Sequence, residues 1–462
     1  MTSAEVTRKK RFLKTLVPLL EEGGCRGEAV YLREESLSIN KDNASTDVSR
    51  DLDEGVKLRV FDGREYHERG VSGWEEDALR KAARTLGLTR PRKDGVKLSK
   101  AGGPSDADYS TLGKIDAHTV PLARKMRDVT RLHAALRSAS KRLVNARAYY
   151  DDSREIKIYA EKGRAVSQVI NGCQLFFVAY VKSADGDVRY HFKSYFDHGY
   201  ERVNVPKAEL VGVARFAERV ATAKRLKPGK YTCLLSPGVT GLLAHESFGH
   251  GMEADTIRKG RARAGAWLGK RLAGTHVTIA DGPLEPGSHG FFYFDDEGMP
   301  ATKALMIDKG VVTQPLTDAY SAAVLKVPRS SNARMESFDH KVYARMTNTY
   351  FEPGKESKAS LLKRIKNGLY LHNASGGMED PKGWGIQIQG VTAERVKNGK
   401  LTGELYYEIG MTGYLPTLLK NIVGVSKEFE IPGSGRCGKG HHDWVRVAEG
   451  GPYLLIKDVV LS

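Results

Sequence analysis

The stretch from Cys173 to Phe192 constrains the fold most. Cys173, Leu175, Phe177, Ala179 and Val181 occupy alternate positions, Asp185-Gly186 offers a tight turn, and Val188, Tyr190 and Phe192 alternate with Arg189, His191 and Lys193 on the return. A period of two on both sides of an Asp-Gly pair predicts an antiparallel hairpin with one buried face. Elsewhere strand and helix patterns follow one another without regular alternation. That argues for an α+β fold with antiparallel sheet rather than a doubly wound one.

Strands are expected at Val30 to Ile39, Val56 to Phe61 and Ile156 to Ala160, and a helix at Trp74 to Leu86. The Gly- and Pro-bearing stretch from Arg90 to Asp108 reads as a linker. Longer helices are expected from Pro121 to Ala148 and from Lys207 to Arg225, the second ended by Pro228-Gly229. Beyond Lys230 come a strand, a helix and several strands. Turns are expected at Lys309-Gly310 and Asn398-Gly399, and short helices at Ser360 to Asn367 and Leu415 to Ile422. There is no internal repeat. The expected division is an N-terminal mixed region over 1–226, with a sub-boundary near 90–108, and a second domain over 227–462.

The 462 residues are 40% hydrophobic and 28% charged, a composition that folds. Four widely spaced cysteines without a CxxC pair point away from a disulfide framework and toward a reducing compartment. The apolar run Leu16 to Leu20 is broken by Pro18 and ends at Glu21, too short for a signal sequence and better read as an amphipathic helix. No segment has the length of a membrane span, so a cytoplasmic location is expected. The net charge of +17 would suit nucleic acid, anionic membrane or acidic peptides. With no nucleic-acid motif beside it, a solvated basic surface accounts for it, and nucleic acid is not expected as the direct ligand.

The chemistry concentrates at His245-Glu246-Ser-Phe-Gly-His250, an HExxxH one residue longer than HExxH. On an ideal α-helix, residues five apart point about 140° away from each other, against about 40° for four apart. A π-type bulge would restore a common face, and Gly249 and Gly251 suit such a distortion. Thr240 is a candidate N-cap, and Glu253 and Asp255 are candidate acceptors behind ligand imidazoles. The competing structural reading is a pair of core histidines. Two histidines need a third protein ligand to make a catalytic zinc site. Cys437, in the glycine-rich Gly433 to Gly440 with Arg436 and Lys439 beside it, is the leading candidate, against the alternative of an exposed loop thiol. His441 and His442 are rivals.

These segments carry a resemblance. Gly241 to Asp255, Asp295-Asp-Glu-Gly298, Arg345-Met-Thr-Asn-Thr-Tyr350 with Pro353-Gly-Lys355, and Cys437-Gly-Lys439 occur in the order found in the TldD/PmbA family of modulator-of-gyrase peptidases. The sequence is more similar to the TldD type than to the PmbA (TldE) type, which lacks the metal motif. The resemblance implies His245, His250 and Cys437 as zinc ligands, with Glu246 as the general base acting on zinc-bound water. It also implies a β-rich C-terminal catalytic domain. A dimer with a metal-free PmbA/TldE-type paralogue or a second copy would thread unfolded or flexible peptides through a channel. Arg345, Thr347 and Asn348 are candidate channel residues; the alternative is a buried polar network. After Lys439 the chain departs from the family pattern, reading Gly440-His-His-Asp-Trp444 and Ala448-Glu-Gly-Gly-Pro452. A competing function is a non-enzymatic modulator that binds gyrase or another DNA-associated partner.

Overall fold

The computed structural model describes residues 1–283, 287–440 and 442–462. Its first sheet is built from β1 (Arg26–Lys41), β2 (Thr46–Phe61), β3 (Tyr66–Ser72), β4 (Asp106–Ser110), β5 (Leu143–Glu161), β6 (Arg164–Lys182) and β7 (Val188–Asp197). The order is β3-β2-β1-β5-β6-β4, with β7 also on β6. The hairpin seen in the sequence is β6–β7, paired antiparallel from Cys173↔Asp197 to Lys182↔Val188. β4 begins inside the expected linker, runs two residues past it and lies parallel to β6. The helix expected over Pro121 to Ala148 is shorter: it ends at Ser138 and Leu143 already begins β5. Ala146, Ala148 and Tyr150 share the buried face of that strand, a period of two that competes with the helical reading.

Alternation along β1 assigns the two faces of this sheet. Ala29 and Tyr31 pack under α1 (Ser3–Leu20) and α2 (Glu76–Gly87). Leu37 and Ile39 pack under α3 (Leu122–Ser138) and α4 (Lys207–Ala221). Val30 and Leu32 point the other way, into a cluster with Phe294, Met335 and Phe338 of the C-terminal half. The four helices therefore cover one face and the C-terminal half covers the other. Arg59 of β2, 2% exposed, bonds Glu28 of the adjoining β1 at 2.5 Å and crosses that seam to Glu297 at 3.0 Å.

The C-terminal half is a mostly antiparallel sheet that closes on itself. β8 (Gly229–Leu235), Asn367–Asn373, Gly385–Lys397, Lys400–Tyr414 and the long strand His442–Leu461 pair in sequence, and the long strand returns to β8. Turns at Lys309-Gly310 and Asn398-Gly399 separate paired strands. Cys233, Leu235, Leu369, Leu371, Ile388, Leu454 and Ile456 share the core with Val239, Leu243 and Phe248. Together the two halves make an α+β fold. Among the described residues no helix is long and apolar enough to cross a membrane.

Candidate metal centre

The helix α5 (Pro237–Ala244) follows β8. It starts after Ser236 with Pro237 in its first turn; Ser236 Oγ donates to the His372 carbonyl at 2.7 Å rather than capping. Thr240, the expected cap, lies inside the helix, fully buried, with Oγ1 unpaired. Gly241 fixes how close the helix comes to the long strand, since a Cβ there would stand 2.1 Å from the Gly450 nitrogen. This approach sets His245 beside Glu449.

From His245 to Gly249 the backbone makes one π-type turn, in which the His250 N–H donates to the His245 carbonyl five residues back. The extra residue rotates His250 onto the side of His245, and the rings meet edge to face with centroids 5.1 Å apart. Gly249 serves this turn by size rather than by backbone freedom. Its φ is −58°, and a Cβ would stand 2.0 Å from Met346 Sδ. Gly251 has open space around it and an ordinary φ.

Cys437 arrives from the strand Gly435–Lys439, paired with the long strand through Cys437↔Val445. It is 7% exposed, not an open loop thiol. Its Sγ lies 3.3 Å from His250 Nε2, across 187 residues of chain, and ligating atoms of His245, His250 and Cys437 all lie within 4.8 Å of one another. His442 is exposed and joins none of the ligating clusters among the described residues. His441 lies outside the described residues.

The charges around this triad are set by one another. Burial would raise the Cys437 thiol, but the two imidazoles beside it bring it down to about 4. Burial would likewise lower His245, and the Cys437 thiolate instead lifts it to about 9. His250 moves further the same way, with Glu253 adding to the effect of Cys437. A thiolate and two imidazoles this close together offer one ligand atom each to a single ion, a set that suits a borderline-soft cation of the zinc type. Behind the donors stand carboxylates. Glu253 Oε1 is 3.7 Å from His250 Nδ1, and Glu449 Oε2 is 4.0 Å from His245 Nδ1, a buried nitrogen with no hydrogen bond. Despite burial, Lys439, His250 and Arg345 hold Glu253 far below the usual carboxylate range. Asp255, expected beside an imidazole, instead holds Lys439 at 2.6 Å and Lys259 at 3.2 Å.

The triad opens on a cleft of about 520 Å³, also lined by Glu246, Glu379, Arg436 and Trp444. Arg345, Thr347 and Asn348 do not line it. All three are fully buried. Arg345 donates to Glu253 and to the carbonyls of Asp443 and Cys437, the last at 2.6 Å. Thr347 donates through Oγ1 to Asp281 at 2.8 Å, and Asn348 accepts from Gly290 N–H at 3.1 Å. They form the polar network behind the Cys437 strand, the alternative to channel lining. Sequence reasoning missed Glu379 and Glu449. Both stand on strands remote from HExxxH and carry no motif of their own. Glu379 is pushed up to about 7, chiefly by burial, with His250 opposing and Glu246 adding to the rise.

Residues 228–462 match the PmbA/TldA metallopeptidase C-terminal domain. The chain is 28% identical over 434 residues to a metalloprotease of Synechocystis sp., covering 92% of each chain. It is 27% identical over 424 residues to the zinc metalloprotease TldD homolog of Saccharolobus solfataricus, covering 89% of this chain and 90% of that one. The crystal structure of TldE from Thermococcus kodakarensis has the same fold, with a TM-score of 0.77 at 15% identity, covering 98% of this chain and 100% of that one. The chain belongs to the PmbA/TldD metallopeptidase family.

Proposed function

We propose that this protein is a zinc-dependent peptidase of the TldD type, with residues 227–462 as its catalytic domain and 1–226 as an N-terminal region. His245, His250 and Cys437 hold the zinc, and Glu246 is the general base. The observation that carries the reading is the convergence of Cys437 Sγ on His250 Nε2 at 3.3 Å beside His245, in a cleft that Glu246 lines. When bound, zinc supplies Lewis acidity toward a scissile carbonyl and toward water at neutral pH.

The chain's own groups do the rest. Glu246 is half-buried at the cleft wall, accepts the proton of the attacking water and returns it to the leaving amine. Glu253 and Glu449 orient the two imidazoles from behind. Lys439, bound to Glu253 at 2.9 Å and Asp255 at 2.6 Å, neutralises the carboxylates beneath the Cys437 strand.

The substrate is an unfolded or flexible peptide, and the working unit a cytoplasmic dimer, with a metal-free TldE-type paralogue or with a second copy. Metal analysis of the purified protein, alone and with such a partner, tests the reading together with hydrolysis of a flexible peptide and of a native globular domain. The expected result is about one zinc per chain. Cleavage of the flexible peptide alone should be lost with a chelator and restored by zinc. A chain with full zinc and no hydrolysis in either assembly would overturn it.

A further inference from the structure

The strand Gly376–Glu379 forms a wall of the cleft, and it opens with two glycines. Glycine inside a strand gives up side-chain packing and chain entropy, and it is explained either by a left-handed backbone or by a close approach from outside. Neither glycine has a positive φ, so the backbone accepts alanine at both. The space around them differs. A Cβ at Gly376 would meet nothing within 4 Å, whereas a Cβ at Gly377 would stand 2.6 Å from Glu246 Cγ, 3.2 Å from its Cδ and 3.1 Å from the Gln387 carbonyl oxygen. The space that a side chain would fill at Gly377 is taken by the stem of Glu246.

The wall is not free to retreat. It pairs antiparallel with Ile386 to Gln389, and Ile386 and Ile388 belong to the core. The turn that follows is closed by the Trp384 N–H, which donates to the Asp380 carbonyl at 2.6 Å, and the Trp384 ring, 2% exposed, packs against Trp267. The Glu246 backbone is fixed in turn by the π-type turn between His245 and His250. Of the two sides of this contact, the Glu246 side chain is the one that can rotate about its own bonds.

We propose that Gly377 is a positioning residue: by lacking a side chain it leaves the lane along which the Glu246 stem runs, and the wall behind that lane sets where the Glu246 carboxyl group stands in the cleft. It acts through Glu246. This inference rests on the role proposed for Glu246, and it fails separately from it. A base must meet the water proton within hydrogen-bond reach, and a misplacement of about 1 Å costs rate without loosening the substrate.

The test compares wild type, Gly376→Ala and Gly377→Ala by zinc content, by kcat and KM on one flexible peptide, and by the crystallographic position of the Glu246 side chain. Wild-type turnover comes first: its absence with zinc bound sinks the peptidase reading and not this one, because the Glu246 position is still read from the crystals. Expected for Gly377→Ala are unchanged zinc, a Glu246 carboxyl group displaced by about 1 Å or more, and kcat lower by roughly 10- to 100-fold with KM within about 2-fold. Gly376→Ala should match wild type in all of these, since its methyl group meets open space. If Gly377→Ala folds poorly, thermal melts of the same substitution in a Glu246→Ala background decide. The expected result there is the melting point of Glu246→Ala alone; a loss that persists without the Glu246 stem places the clash in the sheet and overturns the inference. It is overturned equally if Glu246 keeps its place in Gly377→Ala, if the effect falls on KM, or if Gly376→Ala is as impaired as Gly377→Ala.

Discussion

Replacing Glu246 by Gln keeps the shape of the side chain and removes its capacity to take a proton. Glu246→Gln is expected to retain zinc while losing roughly 10²- to 10⁴-fold in kcat, measured by metal analysis beside peptide hydrolysis. Near wild-type turnover would end its assignment as the base. Cys437→Ala should lower zinc occupancy strongly and abolish activity with the fold intact, because two imidazoles alone hold zinc far more weakly. A cobalt-substituted sample should show a sulfur-to-metal charge-transfer band that this variant lacks. Persistence of the band would move the third ligand elsewhere. Cys173 and Cys233 are fully buried in strands, so alanine there should cost about 1 kcal/mol of stability and no metal. His245, Glu246, His250 and Cys437 could be singled out in the sequence because motif spacing and resemblance mark them. Glu379 and Glu449 could not, since neither belongs to a motif and both lie more than a hundred residues beyond His250, brought beside the histidines only by the folded sheet.

At the level of elements, the π-type turn depends on Met346 filling the place of a Gly249 side chain. Gly249→Ala should destabilise the protein by about 1–3 kcal/mol and reduce zinc content, because relief of the clash swings His250 away. Unchanged denaturation midpoint and zinc would show that the turn tolerates a methyl group. The need for a distorted helix could be reasoned from five-residue spacing, but the reason for glycine could not, since Met346 is distant in sequence. A second element-scale test concerns α4, whose Arg219 reaches Glu394 at 2.8 Å while His372 reaches the same carboxylate at 3.1 Å. Although burial opposes it, these bonds lower Glu394 from 4.5 to about 2. A carboxylate depressed on folding stabilises above its unfolded pKa and loses that contribution as pH falls through the folded value. The stability gap between wild type and Glu394→Gln should therefore be full near pH 7 and shrink between about 4.5 and about 2. Thermal melts across that range would show it; a gap independent of pH would refute it.

Across the whole molecule, the seam between the N-terminal sheet and the C-terminal half turns on Arg59, which also bonds Glu68 at 2.7 Å. Removing one member of a buried ion cluster strands the others, so Arg59→Ala should cost about 3–5 kcal/mol, read from urea unfolding. A loss below about 1 kcal/mol would mean that the seam is held by Phe294, Met335 and Phe338 instead. Local periodicity revealed the hairpin and parts of β1, β2 and β5, whereas the closed ring was hidden, because nothing in the sequence states which strand returns to β8. The strand that returns is His442–Leu461, and it also pairs with the strand bearing Cys437. Synthesis runs from the N-terminus at about 5–20 residues per second, so Cys437 emerges roughly 10–40 s after His245. On the proposed ligand set, a chain still on the ribosome has its histidines but neither its thiolate nor a closed ring. The proposed metal site can therefore be completed only once translation has passed the last of its ligands.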